Sequence, residues 1–551
     1  MLVMFKHTFL ALCAGLFLSV NAQNTTNIPG YLYSNLPFQM EQVKAPVFPA
    51  NNVSIVDFGA KNDGKTDNTK AFAKAIDAIV TKGGGTVEVP AGTWVTGPIV
   101  LKSNVRIYTA KGATVLFSTN KSLYPVIKAN FEGLETYRCQ QPISADGAEN
   151  IAITGEGTFD GSGQAWRPVK KSKVSEVQWN ALVASGGVLS ENKTTWWPSE
   201  GAYKGSQLAT DQNVPDVKDE AGWQAIKDYL RPIMVDLVNC KNVLIEGVTI
   251  QNSPSWTVHP LMCQNVIVSN VNIQNPEWGQ NTDGIDIESC KNIVLYKSTF
   301  SVGDDGICVK SGKNESGRKR GIPTENLIVD GCTVYHAHGG FVVGSEMSGG
   351  VKNVKVTNCN FKGTDAGLRF KSTRGRGGVV ENITIENINM NDIVGDAVLF
   401  DLFYGGAKNK DEKVKADETT PVFKDITMKN INCNGAKRAL FFNGLPEMNL
   451  ENISLENGMF VANEGGKISE STNVTLTNVV LKTPSTPNLI INNSQYITLV
   501  NILFPDTNKP IINVSGMNSQ YISIQRSAGI TYKNINWSDH ASKDSVEVRG
   551  W

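Results

Sequence analysis

Cys240-Lys-Asn-Val-Leu-Ile-Glu-Gly-Val-Thr-Ile-Gln-Asn252 is followed by Cys263-Gln-Asn-Val-Ile-Val-Ser-Asn-Val-Asn-Ile-Gln-Asn275, and then by Cys290-Lys-Asn-Ile-Val-Leu-Tyr-Lys-Ser-Thr-Phe-Ser301. The three segments align residue for residue. Further copies begin at Asn326, Asn353, Asn382, Asp425, Asn452, Asn473 and Tyr496, with an earlier one at Asn150; from Asn242 onward most starts lie 21 to 34 residues apart. That is a solenoid period. Each copy holds two or three short alternating strands broken by Gly, Asn or Asp, and none has room for a crossover helix. One such coil cannot bury its apolar side alone, so the coils must stack, which predicts an all-β, right-handed parallel β-helix.

Stacking about 4.8 Å apart turns equivalent residues into ladders. The recurrent Asn is expected at a turn, where αL backbone is tolerated and amides can bond one another. Cys240, Cys263 and Cys290 each precede such an Asn by two residues and are expected to form a column of buried thiols. Eight cysteines lie beyond the N-terminal leader. A chain this long can stabilise itself by burial, so no disulfide framework is required.

Composition narrows the function classes. The chain has 551 residues, with 52 Lys+Arg against 52 Asp+Glu. Nucleic acid and anionic membranes, which attract basic proteins, are therefore not expected as partners. With 40% hydrophobic and 19% charged residues, disorder is not expected either. The N-terminus, with Lys6, an apolar run over 8–20 and small residues ending at Ala22, reads as an export signal cleaved near Ala22, with a secreted or periplasmic destination. Residues 23–52 read as an N-terminal extension and 53–551 as one β-helix domain. A helix beginning at Asp67, with Phe72, Ile76, Ile79 and Val80 on one face, is expected to cap the first coil. Residues 164–230 break the repeat and hold five of the ten Trp, which suggests either an aromatic lid or wall over a groove or ordinary loop packing.

Four coils share the strand Gly-φ-x-φ-x-Ser, where φ is apolar: Gly284-Ile-Asp-Ile-Glu-Ser289, Gly306-Ile-Cys-Val-Lys-Ser311, Gly340-Phe-Val-Val-Gly-Ser345 and Gly367-Leu-Arg-Phe-Lys-Ser372. Alternation sends the φ residues inward and Asp286, Glu288, Cys308, Lys310, Val342, Arg369 and Lys371 outward to solvent. Registered on the Gly, Asp305 stacks over Asp283 and Asp304 lies beside His338. Both neighbours, Asp304 and Asp305, reach one groove only if the chain bends before Gly306. Carboxylates gathered this closely must include one held protonated near neutral pH, and a protonated acid beside ionised carboxylates is what glycoside hydrolysis needs. Arg369 and Lys371, two residues apart on a strand, point the same way and offer sites to anionic groups. Residues 303–378 carry 12 Lys/Arg against 7 Asp/Glu, mostly from the loops around 316–321 and 372–377. Such a surplus suits an acidic substrate or a solvated loop.

Asn281-Thr-Asp-Gly284, Gly303-Asp-Asp-Gly306, His338-Gly339 and Arg369-Phe-Lys371 resemble, in order and spacing, the motifs of the polygalacturonase family of pectin glycosidases, glycoside hydrolase family 28. Asn252-Ser-Pro-Ser-Trp-Thr-Val-His-Pro260 is similar to a further family segment. The resemblance implies inverting hydrolysis of α-1,4-galacturonosyl linkages in pectin or polygalacturonate, without metal or cofactor. It implies Asp304 as general acid, Asp283 and Asp305 as the groups that position and deprotonate water, and His338 as the residue that tunes the acid. Arg369, Lys371, Asn281, Lys310 and, by its place one coil later, Tyr404 are implied in substrate binding. The partner expected is an acidic pectic polysaccharide or oligogalacturonide, acted on by a monomer. The long insertion favours exo-cleavage by closing one end of the groove. Ala337 stands where the family more often has Gly before the His. A rhamnogalacturonan or other pectic hydrolase, a Ca²⁺-dependent pectate lyase and a non-catalytic carbohydrate-binding β-helix are the alternatives.

Overall fold

The computed structural model describes residues 28–211, 213–406, 412–504 and 511–550; the leader and its cleavage position lie outside them. Each coil contributes short strands that pair in parallel with their equivalents in adjoining coils, as Lys241–Glu246 does with Gln264–Ser269, Thr249–Gln251 with Asn272–Gln274, and Ile285–Glu288 with Ile307–Lys310. The register is the one the repeat dictates. Val243, Val266, Ile293, Leu327, Val354 and Ile383 stand in one column, each no more than 1% exposed. The result is a right-handed parallel β-helix whose core runs its whole length.

The asparagines form the expected ladder. Nδ2 of Asn242 donates to Asn150, Asn265 to Asn242, Asn292 to Asn265, Asn326 to Asn292 and Asn353 to Asn326, at 3.0–3.2 Å. Their φ angles lie between 55° and 60°. A second ladder, not anticipated, links Asn358, Asn387, Asn430, Asn457, Asn478 and Asn501 at another turn, with φ from 53° to 57°. The described cysteines are all buried and free. In the expected column, Cys263 Sγ donates to the Leu237 carbonyl at 3.0 Å and Cys290 Sγ to that of Pro260 at 3.2 Å.

The capping helix spans Thr69–Thr81 and buries Phe72, Ile76 and Ile79 against the first coils. Val80, expected on the same face, is 36% exposed, and Ala71 and Ala75 are buried beside the others. At 100° per residue, position 80 falls at the edge of the stripe set by 72, 75, 76 and 79. Asp67 accepts the Thr69 N–H at 2.9 Å, while buried Asn68 turns its amide to the carbonyls of Lys61, Thr66 and Val95.

Two coverings decide what the outside of the solenoid exposes. The extension lays Ile28, Leu32 and Val43 over Ala152, Leu244, Ile267, Val294 and Ile328, the outward positions of one sheet. That explains why the Asn-Val-Leu-Ile segments are apolar at every position instead of alternating. Between the strands Thr158–Asp160 and Val235–Val238, the chain builds three helices, Glu176–Ala184, Glu200–Leu208 and Glu220–Ala225, with a small antiparallel sheet through Thr195–Trp197. Trp166, Trp179, Trp196 and Trp223 are buried in the cores of this excursion. Its aromatic content therefore holds the insertion together instead of facing a groove. An unexpected antiparallel hairpin, Val126–Phe131 with Leu134–Cys139, joins it on the same side.

Candidate active site

The four Gly-led strands stack as Ile285–Glu288, Ile307–Lys310, Phe341–Val343 and Leu368–Lys371. The register continues into the residues before each strand: the Gly284 N–H donates to the Asp305 carbonyl, and the His338 N–H to that of Asp304, both at 2.9 Å. The chain bends where the sequence requires it. Asp304 Oδ1 meets His338 Nδ1 at 2.9 Å, while Asp305 accepts from Lys371 Nζ at 2.7 Å and from Arg369 Nη1 at 3.1 Å. Carboxylate oxygens of Asp283 and Asp305 and the thiol of Cys308 lie within 4.8 Å of one another. Tyr404 closes the cationic edge, its ring centroid 4.9 Å from Lys371 Nζ and 5.7 Å from Arg369 Cζ.

Burial raises every carboxyl here, and the neighbours sort them. Asp283 is held well above the usual carboxylate range by burial and by the charges of Asp286 and Asp304. Burial pushes Asp286 up to about 7, despite Lys310 and His259. For Asp305, the opposing charges of Lys371, Arg369 and Lys310 outweigh burial and keep it well below its ordinary value. For Asp304, the His338 hydrogen bond and charge do the same, and His338 is raised in turn. Burial and like charge thus favour the protonated forms of Asp283 and Asp286, while the Asp304–His338 contact favours a carboxylate beside an imidazolium. Asp283 Oδ1 and both Asp286 oxygens are buried without a hydrogen-bond partner. Asp283, Asp305 and Cys308 resemble a metal donor set, but Lys310, Lys371 and Arg369 already supply countercharge, which disfavours a cation among them.

The expectation that the outward strand positions face solvent is overturned. Asp286, Glu288, Cys308 and Val342 are 0% exposed and Lys310 is 3% exposed. Phe131 of the hairpin stacks on Trp256 at 5.5 Å, and Trp256 lies 4.6 Å from Lys310 Nζ. Charges so enclosed need partners. Lys310 contacts Glu346 at 3.1 Å and Asp286 at 3.5 Å, so its ammonium faces carboxylates instead of the groove. His259 bridges Asp236 and Glu288 at 2.9 and 3.1 Å; these bonds overcome burial and lift it to about 10. Asn281 Oδ1 accepts from Arg231 at 2.9 Å.

The basic loops are structural. Arg318 donates to the carbonyls of Gly375 and Arg376, Arg320 to Glu288, Arg374 to Glu447, and Arg376 to Asn314 and Ser345. What sequence reasoning missed is Lys173, which leaves the insertion to place Nζ 3.3 Å from His338 Nε2, and Asp365, 3.8 Å from the same nitrogen. Asp365, just before Ala366 and Gly367, stands in the same register as Asp304 and His338, but sequence reasoning assigned it no role. Nothing local marks Lys173.

Comparison with known proteins places this geometry. The family model for glycosyl hydrolases family 28 matches residues 169–486, more than half of the chain, and one for rhamnogalacturonase A/epimerase, pectate lyase-like, matches residues 52–116. A hyperthermoactive exopolygalacturonase from Thermotoga maritima superposes with a TM-score of 0.63 at 31% identity, over 84% of this chain and 93% of that one. A probable polygalacturonase of Vitis vinifera is 28% identical over 74% of each chain. An exo-poly-alpha-D-galacturonosidase of Dickeya chrysanthemi is 29% identical over 69% of this chain and 61% of its own. A parallel β-helix with its acidic residues stacked on adjoining coils, matched over these spans, makes this chain a member of glycosyl hydrolase family 28.

Proposed function

We propose that this protein hydrolyses α-1,4-galacturonosyl linkages of polygalacturonate with inversion, releasing units from a chain end. The observation that carries the reading is the meeting of Asp283, Asp304, Asp305 and His338 beside Arg369 and Lys371. Asp304 is the general acid. The proton lies in its 2.9 Å bond with His338 Nδ1, so one short transfer arms the carboxyl that protonates the leaving oxygen. Asp305, kept ionised by Lys371 and Arg369, takes the proton from water as it attacks the anomeric carbon, and Asp283 positions that water. Arg369, whose Nε is buried and without a partner, Lys371 and Tyr404 hold the sugar carboxylate. Asn281 and Lys310 support the site from behind, through Arg231 and through Asp286 with Glu346.

Exo-action rests on the bulk at the N-terminal end of the site, where Asn213 of the insertion bonds Glu132 of the hairpin and approaches Asn281 at 3.4 Å. The likeness to exo-acting relatives supports it. The apolar leader supports export of the monomer to the pectic substrate, read out as a mature N-terminus near residue 23. Among the described residues no helix is long and apolar enough to cross a membrane. The deciding experiment is a chromatogram of early products from polygalacturonate. Saturated monomer accumulating first is expected. Mixed oligomers would replace exo with endo action, unsaturated ends would mean a lyase, and cleavage of rhamnogalacturonan alone would shift the substrate.

A further inference from the structure

The sheet that carries the site continues past it. Outward from Arg369, the same column runs through Leu399, Phe441 and Lys467, one coil per step, so each step is about 4.8 Å. Phe441 and Lys467 are half-buried. Arg438 is held by Asp396 at 2.6 Å and lays its guanidinium over the Phe441 ring, 3.9 Å from Cζ to the centroid. Lys467 Nζ stands 5.9 Å from the same ring, which is its one charged or aromatic partner among the described residues. Lys371, Lys310 and Arg438 differ from Lys467 in each meeting a carboxylate, of Asp305, Glu346 and Asp396 respectively.

We propose that Arg438, Phe441 and Lys467 form a distal subsite that holds further galacturonate units on the C-terminal side of the cleavage point. This rests on the galacturonan reading above. A polygalacturonate chain carries one carboxylate per sugar, and a pyranose unit is about as long as one coil step. A chain leaving Arg369 along the column therefore brings later carboxylates past Lys467 and a sugar past the Phe441 ring edge. Asp396 fixes the guanidinium in place, so little freedom is lost when an anion docks against it. The two cations beside the ring give the ring edge and their charges to one ligand together.

The test compares kcat/KM for digalacturonate and hexagalacturonate in the wild type, Lys467→Gln and Phe441→Ala. Only the longer substrate reaches the column. The hexamer-to-dimer ratio should fall about fivefold in Lys467→Gln, as expected for loss of one exposed charge contact. The fall should shrink in high salt. An unaltered ratio in Lys467→Gln overturns the subsite, and that half-exposed substitution decides the matter even if Phe441→Ala does not fold. A wild type that cleaves neither oligomer overturns the galacturonan reading itself, and the subsite with it.

Discussion

Lys173 Nζ lies 3.3 Å from His338 Nε2, on the opposite edge of the ring from the Nδ1 that bonds Asp304 at 2.9 Å. A cation there opposes the imidazolium that Asp304, Asp305 and Asp365 favour against burial. Lys173→Met removes that opposition, so the Asp304–His338 pair keeps its proton to higher pH. The alkaline limb of kcat/KM should move up by about half a pH unit. Lys173→Arg should restore it. A limb that stays put in Lys173→Met would show that the contact is idle.

Asp304→Asn preserves the shape of the carboxyl but has no acid proton to donate. Turnover should fall roughly 10³-fold, while hexagalacturonate still binds, as calorimetry would detect. Near-wild-type turnover would refute the acid assignment.

Lys371→Ala should act twice. Losing the ammonium weakens capture of sugar carboxylates and raises the Michaelis constant. It also strips Asp305 of the 2.7 Å contact that helps keep it ionised. The Asp305 pKa then rises, and the acidic limb of the rate profile moves to higher pH. Both effects are read from one set of pH-dependent kinetics.

Stability should be greatest in mild acid. Asp304, Asp305 and Glu346 are held below their ordinary values, so the stability they contribute is present above about pH 4 and lost as pH falls through their folded pKa values. Asp286, raised to about 7, works the other way: the folded protein binds its proton more tightly, so stability declines as pH climbs toward 7. His259, raised to about 10, adds a further decline above its unfolded pKa. The melting temperature should therefore be higher at pH 5 than at pH 8. Asp286→Asn should narrow that gap by stabilising the protein at pH 8.

The ladder can be divided into its two terms at Asn292. Both Asn292→Ala and Asn292→Gly lose the bonds to Asn265 and Asn326, but only Ala must occupy φ 59° with a Cβ. Ala should be less stable than Gly by about 1 kcal/mol. Equal melting temperatures would locate the whole effect in the amides.

The repeat was legible because a parallel solenoid places equivalent residues in adjoining coils and makes them neighbours. Knowing that Gly284, Gly306, Gly340 and Gly367 share a register was enough to bring Asp283, Asp305, Asp304, His338, Arg369 and Lys371 together. The environment of those groups was not legible. Strand alternation tells inside from outside of the coil, but it says nothing about what lies on the outside. Glu288 and Lys310 were expected in water. The folded chain buries both, Lys310 against Trp256, on which the hairpin's Phe131 stacks, and matches them with His259, Arg320 and Glu346.

Periodicity, read along the chain, determined the β-helix, its asparagine ladder and the coils that carry the acidic residues, because each follows from contacts at a fixed sequence interval. Only the tertiary structure decided which carboxyl stays charged, that the basic loops brace each other, and that Lys173 reaches His338. Those outcomes depend on side chains from loops and excursions that follow no period: Lys173 comes from the insertion, the bracing arginines from the loops around 318 and 376, and the hairpin's Phe131 stacks on the Trp256 that lies against Lys310.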